Sequence, residues 1–222
     1  MGEREEVDTG GRIRVMVVDD HQLVAQALSE VLDDEADLEV VARTGSVAEA
    51  TQVAQELAPD VVLMDYQLPD GTGVAAAERI RRHRPSTKVV MLTAYAEDAL
   101  LVAAVEAGCS GYLTKDRAVE EVVSAVRAAH AGEVLVSPVK LAQLLPKLRR
   151  SSSAGGISLT ARELEVLQLM AEGLSNHAIA ERLVVSLNTV RHHVQNVISK
   201  LQAHSKLEAV AIAVRTGVIH HS

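Results

Sequence analysis

The chain has 222 residues, 48% of them hydrophobic, with three Tyr, no Trp, no Phe and one Cys. That is enough for one large domain or two small ones with cores of Val, Leu, Ile and Ala, and a single Cys excludes an intrachain disulfide and fits a reducing cytosol. The net charge of −8 argues against nucleic acid only until the chain is divided: residues 1–150 carry 16 Lys/Arg against 25 Asp/Glu, whereas residues 151–222 carry 6 against 5 and six of the nine His. Any affinity of the second part for DNA must then come from local placement of charge. The longest apolar run, Ala99–Val105, is far short of the ~20 residues of a membrane span. The start, MGEREEVDTGG, is unlike a signal peptide and reads as a disordered leader, with the first strand starting at Arg12.

In chain order, short apolar runs at 12–18, 38–42, 60–64, 87–92 and 110–113 alternate with amphipathic stretches at 21–34, 46–57, 73–84, 97–107 and 117–131. Five strand–helix units in so short a span predict a parallel sheet with helices on both faces, and continuous apolar strands fit a sheet buried on both sides. Turn signals at Pro59, Pro69-Asp70-Gly71, Arg84-Pro85, Gly108 and Gly132 agree. A short helical pattern from Ser137 to Leu148 and a flexible RRSSSAGG stretch at 149–156 follow. From Ile157 the pattern changes to four short helices, so the domain boundary falls between 135 and 157.

Four of the apolar runs end in residues suited to phosphoryl chemistry. Val18 leads into Asp19 and Asp20, Met64 into Asp65, Leu92 into Thr93, and Leu113 through Thr114 into Lys115. At the carboxyl ends of parallel strands these side chains would meet where open α/β sheets bind ligands. An aspartate can attack phosphorus if a cation neutralises the incoming oxygens. Magnesium takes carboxylates, water and phosphate as ligands, and three adjacent carboxylates need such a cation among them. Singly, an Asp-Asp is a turn or cap and a Thr after a strand is nothing; four such features in order are a pattern. His21 reads as the start of the first helix, Cys109 as a small packed core residue, and Arg79, Arg81, Arg82 and Arg84 as a solvated helix end.

The motifs VVDDH (17–21), VLMDYQLPDG (62–71), VVMLTA (89–94) and GYLTKD (111–116) resemble those of a response-regulator receiver domain, over residues 12–131. The resemblance implies that Asp65 is the phosphoacceptor and that Mg2+ is held by Asp20 directly, Asp19 largely through water, Asp65 itself and the Gln67 carbonyl. It further implies that Thr93 and Lys115 bind the phosphoryl group and that Tyr112 is an aromatic switch turning inward when Thr93 moves. Gln67 and Tyr95 stand where the family tunes the lifetime of the phosphoryl group. The chain departs from the family at Asp116, where many receivers carry Pro, which removes the expectation of a cis peptide at that loop.

In the second part, Thr160-Ala-Arg-Glu163 is a capping box opening a helix that Gly173 ends. Ser175 can cap a second helix through Leu183, Val184-Val185 make a tight turn, and Ser186 can cap a third running to about Leu201. On that third helix Val190, Val194, Val197 and Leu201 share a core face about 60° wide. Opposite lie Asn188, His192, Gln195 and Ser199, flanked by Arg191, with no carboxylate. Asn, Gln and Arg read base edges; a solvated surface is the other reading, and the residues alone leave both open. Adjacent His192 and His193, and His220 and His221, lack the partners of a metal site.

The spacing LTARELEVL, LSNHAIAERL, TVRHHV resembles the LuxR-type helix-turn-helix module, over most of residues 157–219. That makes 187–201 the recognition helix, with Arg191, His192 and Gln195 reaching DNA and Ser186, Asn188 and Thr189 as candidate phosphate contacts. The last helix, about 205–215, would present Leu207, Val210, Ala211 and Val214 for dimerisation, or pack them against its neighbours.

Together these resemblances identify the chain as a member of the NarL/FixJ-type response regulators. They imply an α/β, doubly wound five-stranded parallel sheet of flavodoxin-like type (12–133), a linker with a short helix (134–156), and an all-α four-helix DNA-binding domain (157–222). The implied partners are a sensor histidine kinase, an inverted-repeat DNA site and a second copy on activation, with no membrane and a cytoplasmic location. Self-modification at Asp65 from a donor, without turnover, is the implied chemistry. The alternative is a phosphorylation-independent DNA-binding regulator whose degenerate receiver only dimerises. A quorum-type sensor would want an aromatic-rich ligand domain, and an aspartyl phosphatase would want a second Asp at position 67, where Gln67 stands.

Overall fold

The computed structural model describes residues 11–94, 97–133 and 159–219. Residues 1–10 of the proposed leader, the short helix at 137–148, the linker at 149–156, Tyr95, Ile157, His220 and His221 lie outside the described residues.

Five strands, β1 (Ile13–Val18), β2 (Leu38–Thr44), β3 (Val61–Asp65), β4 (Lys88–Thr93) and β5 (Gly111–Thr114), form one parallel sheet in the order β2-β1-β3-β4-β5. All of β3 and the last four residues of β1 are buried, as uninterrupted Val/Leu/Met runs require of central parallel strands. The helices α1 (Gln22–Asp33), α2 (Val47–Leu57), α3 (Gly73–His83), α4 (Asp98–Glu106) and α5 (Val119–His130) connect them. Val15, Val17, Ala25, Leu32, Val122 and Val126 pack on one face of the sheet, and Met16, Val18, Ala50, Ala54, Ala77 and Ile80 on the other. Each element lies within two residues of where the sequence places it. The strand order reverses between β1 and β3, so the connections leaving their carboxyl ends part there and open a crevice.

Four further helices follow: α6 (Ala161–Ala171), α7 (Asn176–Leu183), α8 (Leu187–Lys200) and α9 (Lys206–Arg215). Thr160 and Glu163 form the expected capping box, and Ser175, Ser186 and Ser205 each accept a hydrogen bond from the third backbone N–H of the helix they open. Val184 takes a left-handed conformation (φ 53°) in the turn between α7 and α8. Val190, Val194, Val197 and Leu201 are all buried, as their shared face requires.

The four-helix unit is docked on the sheet unit. Leu101 and Val105 of α4 are each 1% exposed and pack in the same cluster as Leu207, Val210, Ala211 and Val214 of α9. Of the two readings of α9, packing against its neighbours is the one the structure bears out: all four residues are buried, by the neighbouring helices and by α4. The cause is legible in α4 itself. Its sequence, DALLVAAVE, is apolar all round, and such a helix is covered on more than one side; Ala104 faces the sheet cluster while Leu101 and Val105 face the helical one. Burying a Leu or Val side chain contributes roughly 1.5–3 kcal/mol. Arg81 likewise leaves the solvated helix end foreseen for it: its guanidinium lies where a side chain on Gly108 would project (φ +73°), and burial outweighs the nearby Glu208 carboxylate in lowering its pKa.

Candidate phosphoryl and nucleic-acid sites

The parallel register brings the strand-terminal residues to one edge. Val18 pairs with Thr44 and Met64, Asp65 with Leu92, and Thr93 with Thr114. The ladder continues past the strands: Asp19 N–H donates to Thr44, Tyr66 N–H to Leu92 and Lys115 N–H to Thr93. The functional side chains thus stand on backbone held by hydrogen bonds on a buried sheet.

At that edge Lys115 Nζ lies 2.6 Å from Asp19 Oδ2 and 2.8 Å from Asp65 Oδ2. Asp19 and Asp65 are buried, Asp20 is exposed, and the Thr93 side chain is buried beside them. Burial raises the pKa of Asp65, outweighing the lowering by Lys115. Burial also pulls Lys115 down, but its bonds to Asp19 and Asp65 win and leave it above the ordinary lysine value. One ammonium therefore stands among three carboxylates, which suits the set to a further cation. Asp19, Asp20, His21 and Asp65 each offer a ligand atom, all within 4.8 Å of one another, so the residues present fit a divalent ion that prefers oxygen donors. The crevice above them, about 370 Å³ and lined by Asp20, Asp65, Gln67, Thr93 and Lys115 among others, has room for a phosphoryl group and water.

Tyr112 is half-buried, hydrogen-bonds with the Thr93 side chain, and touches both the sheet cluster and the helical cluster. Cys109 is fully buried, which pushes its thiol up to about 12, so it is a packed core residue as read. Among the described residues no peptide bond is cis, in keeping with Asp116 after Lys115.

Three contributors escaped the sequence reading. His21 opens α1, but its Nδ1 also lies 2.9 Å from Asp20 Oδ1 and 3.3 Å from Asp19 Oδ1. Asp70 accepts from Val47 N–H at 2.7 Å and Ala48 N–H at 3.0 Å, tying the loop after Asp65 to the start of α2; those bonds hold its pKa below the ordinary value. A Cβ on Gly73 would sit 2.1 Å from the Asp65 carbonyl oxygen, so only glycine lets α3 start this close to Asp65. The signal was available: PDGTG places Asp70 in the turn after Asp65 and Gly73 at the first position of α3.

In the helical unit Ser186, Asn188, Thr189, Arg191, His192 and Gln195 are all exposed. Ser186 and Thr189 join their hydroxyls at 2.8 Å at the start of α8. Glu163, buried, receives Lys200 Nζ at 2.7 Å as well as Thr160 N–H, fixing the end of α8 to the start of α6; the lysine contact leads in lowering its pKa. Arg191 and Gln195 line a cleft whose opposite wall is Lys88, Ser110, His130 and Glu133 of the sheet unit.

Comparison with known proteins places both units. Residues 15–127 match the family model for the response regulator receiver domain, and residues 157–213 match that for bacterial regulatory proteins of the luxR family. The chain is 38% identical over 216 residues to the transcriptional regulatory protein LnrK of Bacillus subtilis (strain 168), covering 93% of this chain and 98% of that one. It is similar to the crystal structure of the response regulator ChrA of a heme-sensing two-component system, with 34% identity, TM-score 0.50 and coverage of 94% and 100%. It is similar too to the Salmonella typhimurium RcsB response regulator in a structure described for its conformational dynamism in DNA interaction (25% identity, TM-score 0.55, coverage 90% and 97%).

Proposed function

The chain belongs to the response regulators that join a receiver domain to a LuxR-type DNA-binding domain, and from that premise we propose that phosphate on Asp65, taken from a sensor histidine kinase, controls its binding to DNA. We assign residues 12–133 to the receiver, 134–156 to the linker and 157–222 to the DNA-binding domain. The observation that carries the reading is the Lys115 ammonium bridging Asp19 and Asp65 beside Asp20 and Thr93, a charge arrangement with no structural use that an apolar edge would not serve better.

An Asp65 carboxylate oxygen attacks the phosphorus of the donor's phosphohistidine; an acyl-phosphate O–P bond forms and the P–N bond to the imidazole breaks. A bound magnesium ion, held by Asp20, Asp65 and the Gln67 carbonyl and through water by Asp19, would supply positive charge for the phosphoryl oxygens. Lys115 keeps Asp65 oriented before the transfer and pairs with a phosphoryl oxygen after it. The Thr93 hydroxyl turns to another of those oxygens and draws Tyr112 with it. Tyr112 touches the packing shared with the helical unit, so its movement changes the surface on which α9 rests. In the docked arrangement receiver residues face Arg191 and Gln195 across the cleft and α4 covers α9, which supports reading this as the resting state. Phosphate shifts the population toward an undocked state. The released domains pair through α9 and bind two half-sites of an inverted repeat, with Arg191, His192 and Gln195 toward the bases and Ser186, Asn188 and Thr189 toward phosphates. We place the protein in the cytoplasm; no helix among the described residues is long and apolar enough to cross a membrane.

The test is selection from random duplex DNA with and without magnesium and beryllofluoride, which mimics an aspartyl phosphate, on the wild-type chain and on Asp65→Asn. A palindrome recovered only with the analogue, and not by the variant, is the expected result. The same site recovered equally under all conditions would leave DNA binding standing and remove phosphorylation as its control.

A further inference from the structure

Glu133 follows α5, and its carboxylate reaches into the DNA-binding domain. Its two oxygens accept from the Asn176 backbone N–H, the first residue of α7, at 2.9 and 3.0 Å, and one also accepts from Lys206 Nζ at 3.1 Å. The Lys206 side chain is only 2% exposed. Its other two donors are fixed within the DNA-binding domain, on the Leu174 carbonyl at 2.9 Å and Asn176 Oδ1 at 3.1 Å. With two protons committed, the third is aimed at one spot, which the Asn176 N–H and the positive end of α7 also address. The spot is a built anion site made of DNA-binding-domain groups, and the anion in it comes from the receiver.

Two facts point to what else the site takes. If the domains part, Glu133 leaves, and the Lys206 ammonium and the Asn176 N–H keep their aim at the same spot without the counter-charge that occupied it, which leaves the undocked domain a ready site for another anion. The cleft that holds Glu133 and Lys206 is also lined by Arg191 and Gln195 of the recognition helix, so the site borders the face that turns to DNA. In helix-turn-helix docking the first helix, here α7, crosses the DNA backbone while the second enters the groove, and helix N-termini accept phosphates. We propose that the Asn176–Lys206 site binds a DNA backbone phosphate and that Glu133 occupies it as an internal stand-in while the domains are docked. This rests on the DNA-binding reading above and adds a direct competition to it: one carboxylate must leave for one phosphate to enter.

The experiment uses the full-length chain and the duplex recovered by selection. First, resting affinity is measured by fluorescence anisotropy for the wild type, Glu133→Gln and Glu120→Gln, the last removing an exposed α5 carboxylate outside the cleft. Glu133→Gln should bind about tenfold more tightly than wild type without beryllofluoride, and Glu120→Gln should stay within about twofold. Second, duplexes each carrying one neutral methylphosphonate are titrated with the beryllofluoride-activated chain. One position per half-site should lose affinity for wild type and lose nothing further for Lys206→Met. Should Lys206→Met fail to fold, the Asn176 amide resonance of the wild type replaces it: it should shift on binding the native duplex and not on the duplex neutralised at that position. Equal affinities for Glu133→Gln and Glu120→Gln, or an Asn176–Lys206 site indifferent to every methylphosphonate, would overturn the proposal. No binding at all by the activated wild type would instead sink the DNA-binding reading beneath it.

Discussion

In the receiver, α1, α4 and α5 start at His21, Glu97 and Ala118 with no side-chain cap, and only α2 and α3 are capped, by Ser46 and Thr72. In the DNA-binding domain each of the four described helices starts on a Thr or Ser whose oxygen takes a backbone N–H. The sheet accounts for the contrast. Helices laid on fully buried strands are held by packing and can leave their ends to other uses; Asp19, for instance, accepts the His21 N–H at the start of α1 while also holding Lys115. Helices of 8 to 14 residues with no sheet beneath them depend more on local chemistry, because isolated helices of that length are marginal. The receiver can therefore carry like charge at one edge, and the DNA-binding domain can leave one face of α8 free of carboxylates.

The largest expected effect tests how much charge the sheet edge tolerates. Lys115→Met leaves Asp19 and Asp65 buried without their cation and should destabilise the receiver by about 3 kcal/mol in EDTA. Millimolar magnesium should restore much of that in urea unfolding; an equal loss in both buffers would mean that the carboxylates hold no ion. Next comes the contact between the regions. Leu101→Ala on α4 should cost about 2–3 kcal/mol and raise resting DNA affinity about tenfold, equivalent to about 1.4 kcal/mol of docking; unchanged affinity would show that α4 does not restrain the second domain. Asp65→Asn should stabilise the fold at pH 7 by about 1 kcal/mol, or roughly 3 °C in thermal midpoint. The sign follows from the raised pKa of Asp65: its ionised form is the disfavoured one in the folded chain, a cost absent below the unfolded value near pH 4 and full once pH exceeds the folded value. The gain should shrink toward zero as unfolding is measured from pH 7 down to about 4. The smallest pair addresses the caps themselves. Ser175→Ala should lose about 1 kcal/mol, whereas Ala118→Ser, at a site whose backbone is already extended (φ −59°, ψ 146°), should gain about 0.5 kcal/mol. A gain at Ala118 as large as the loss at Ser175 would mean that the sheet gives the receiver helices no advantage.

What the sequence by itself determined is what depends on neighbours along the chain. Apolar runs of strand length ending in Asp19, Asp65, Thr93 and Lys115 place those side chains at one edge once the strands are parallel, because every strand then runs the same way. Thr160-x-x-Glu163 and Ser186-x-x-Thr189 fix helix starts through bonds spanning three residues. Only the tertiary structure decided the pairings across long separations. Glu133 with Lys206, Arg81 over Gly108, Asp70 with the start of α2, and α4 against α9 leave no period in the sequence, since the partner of a side chain is set by which surfaces meet. The apolar circumference of α4 announced that something would cover it; periodicity states that a face is buried but not against what, and only docking names α9.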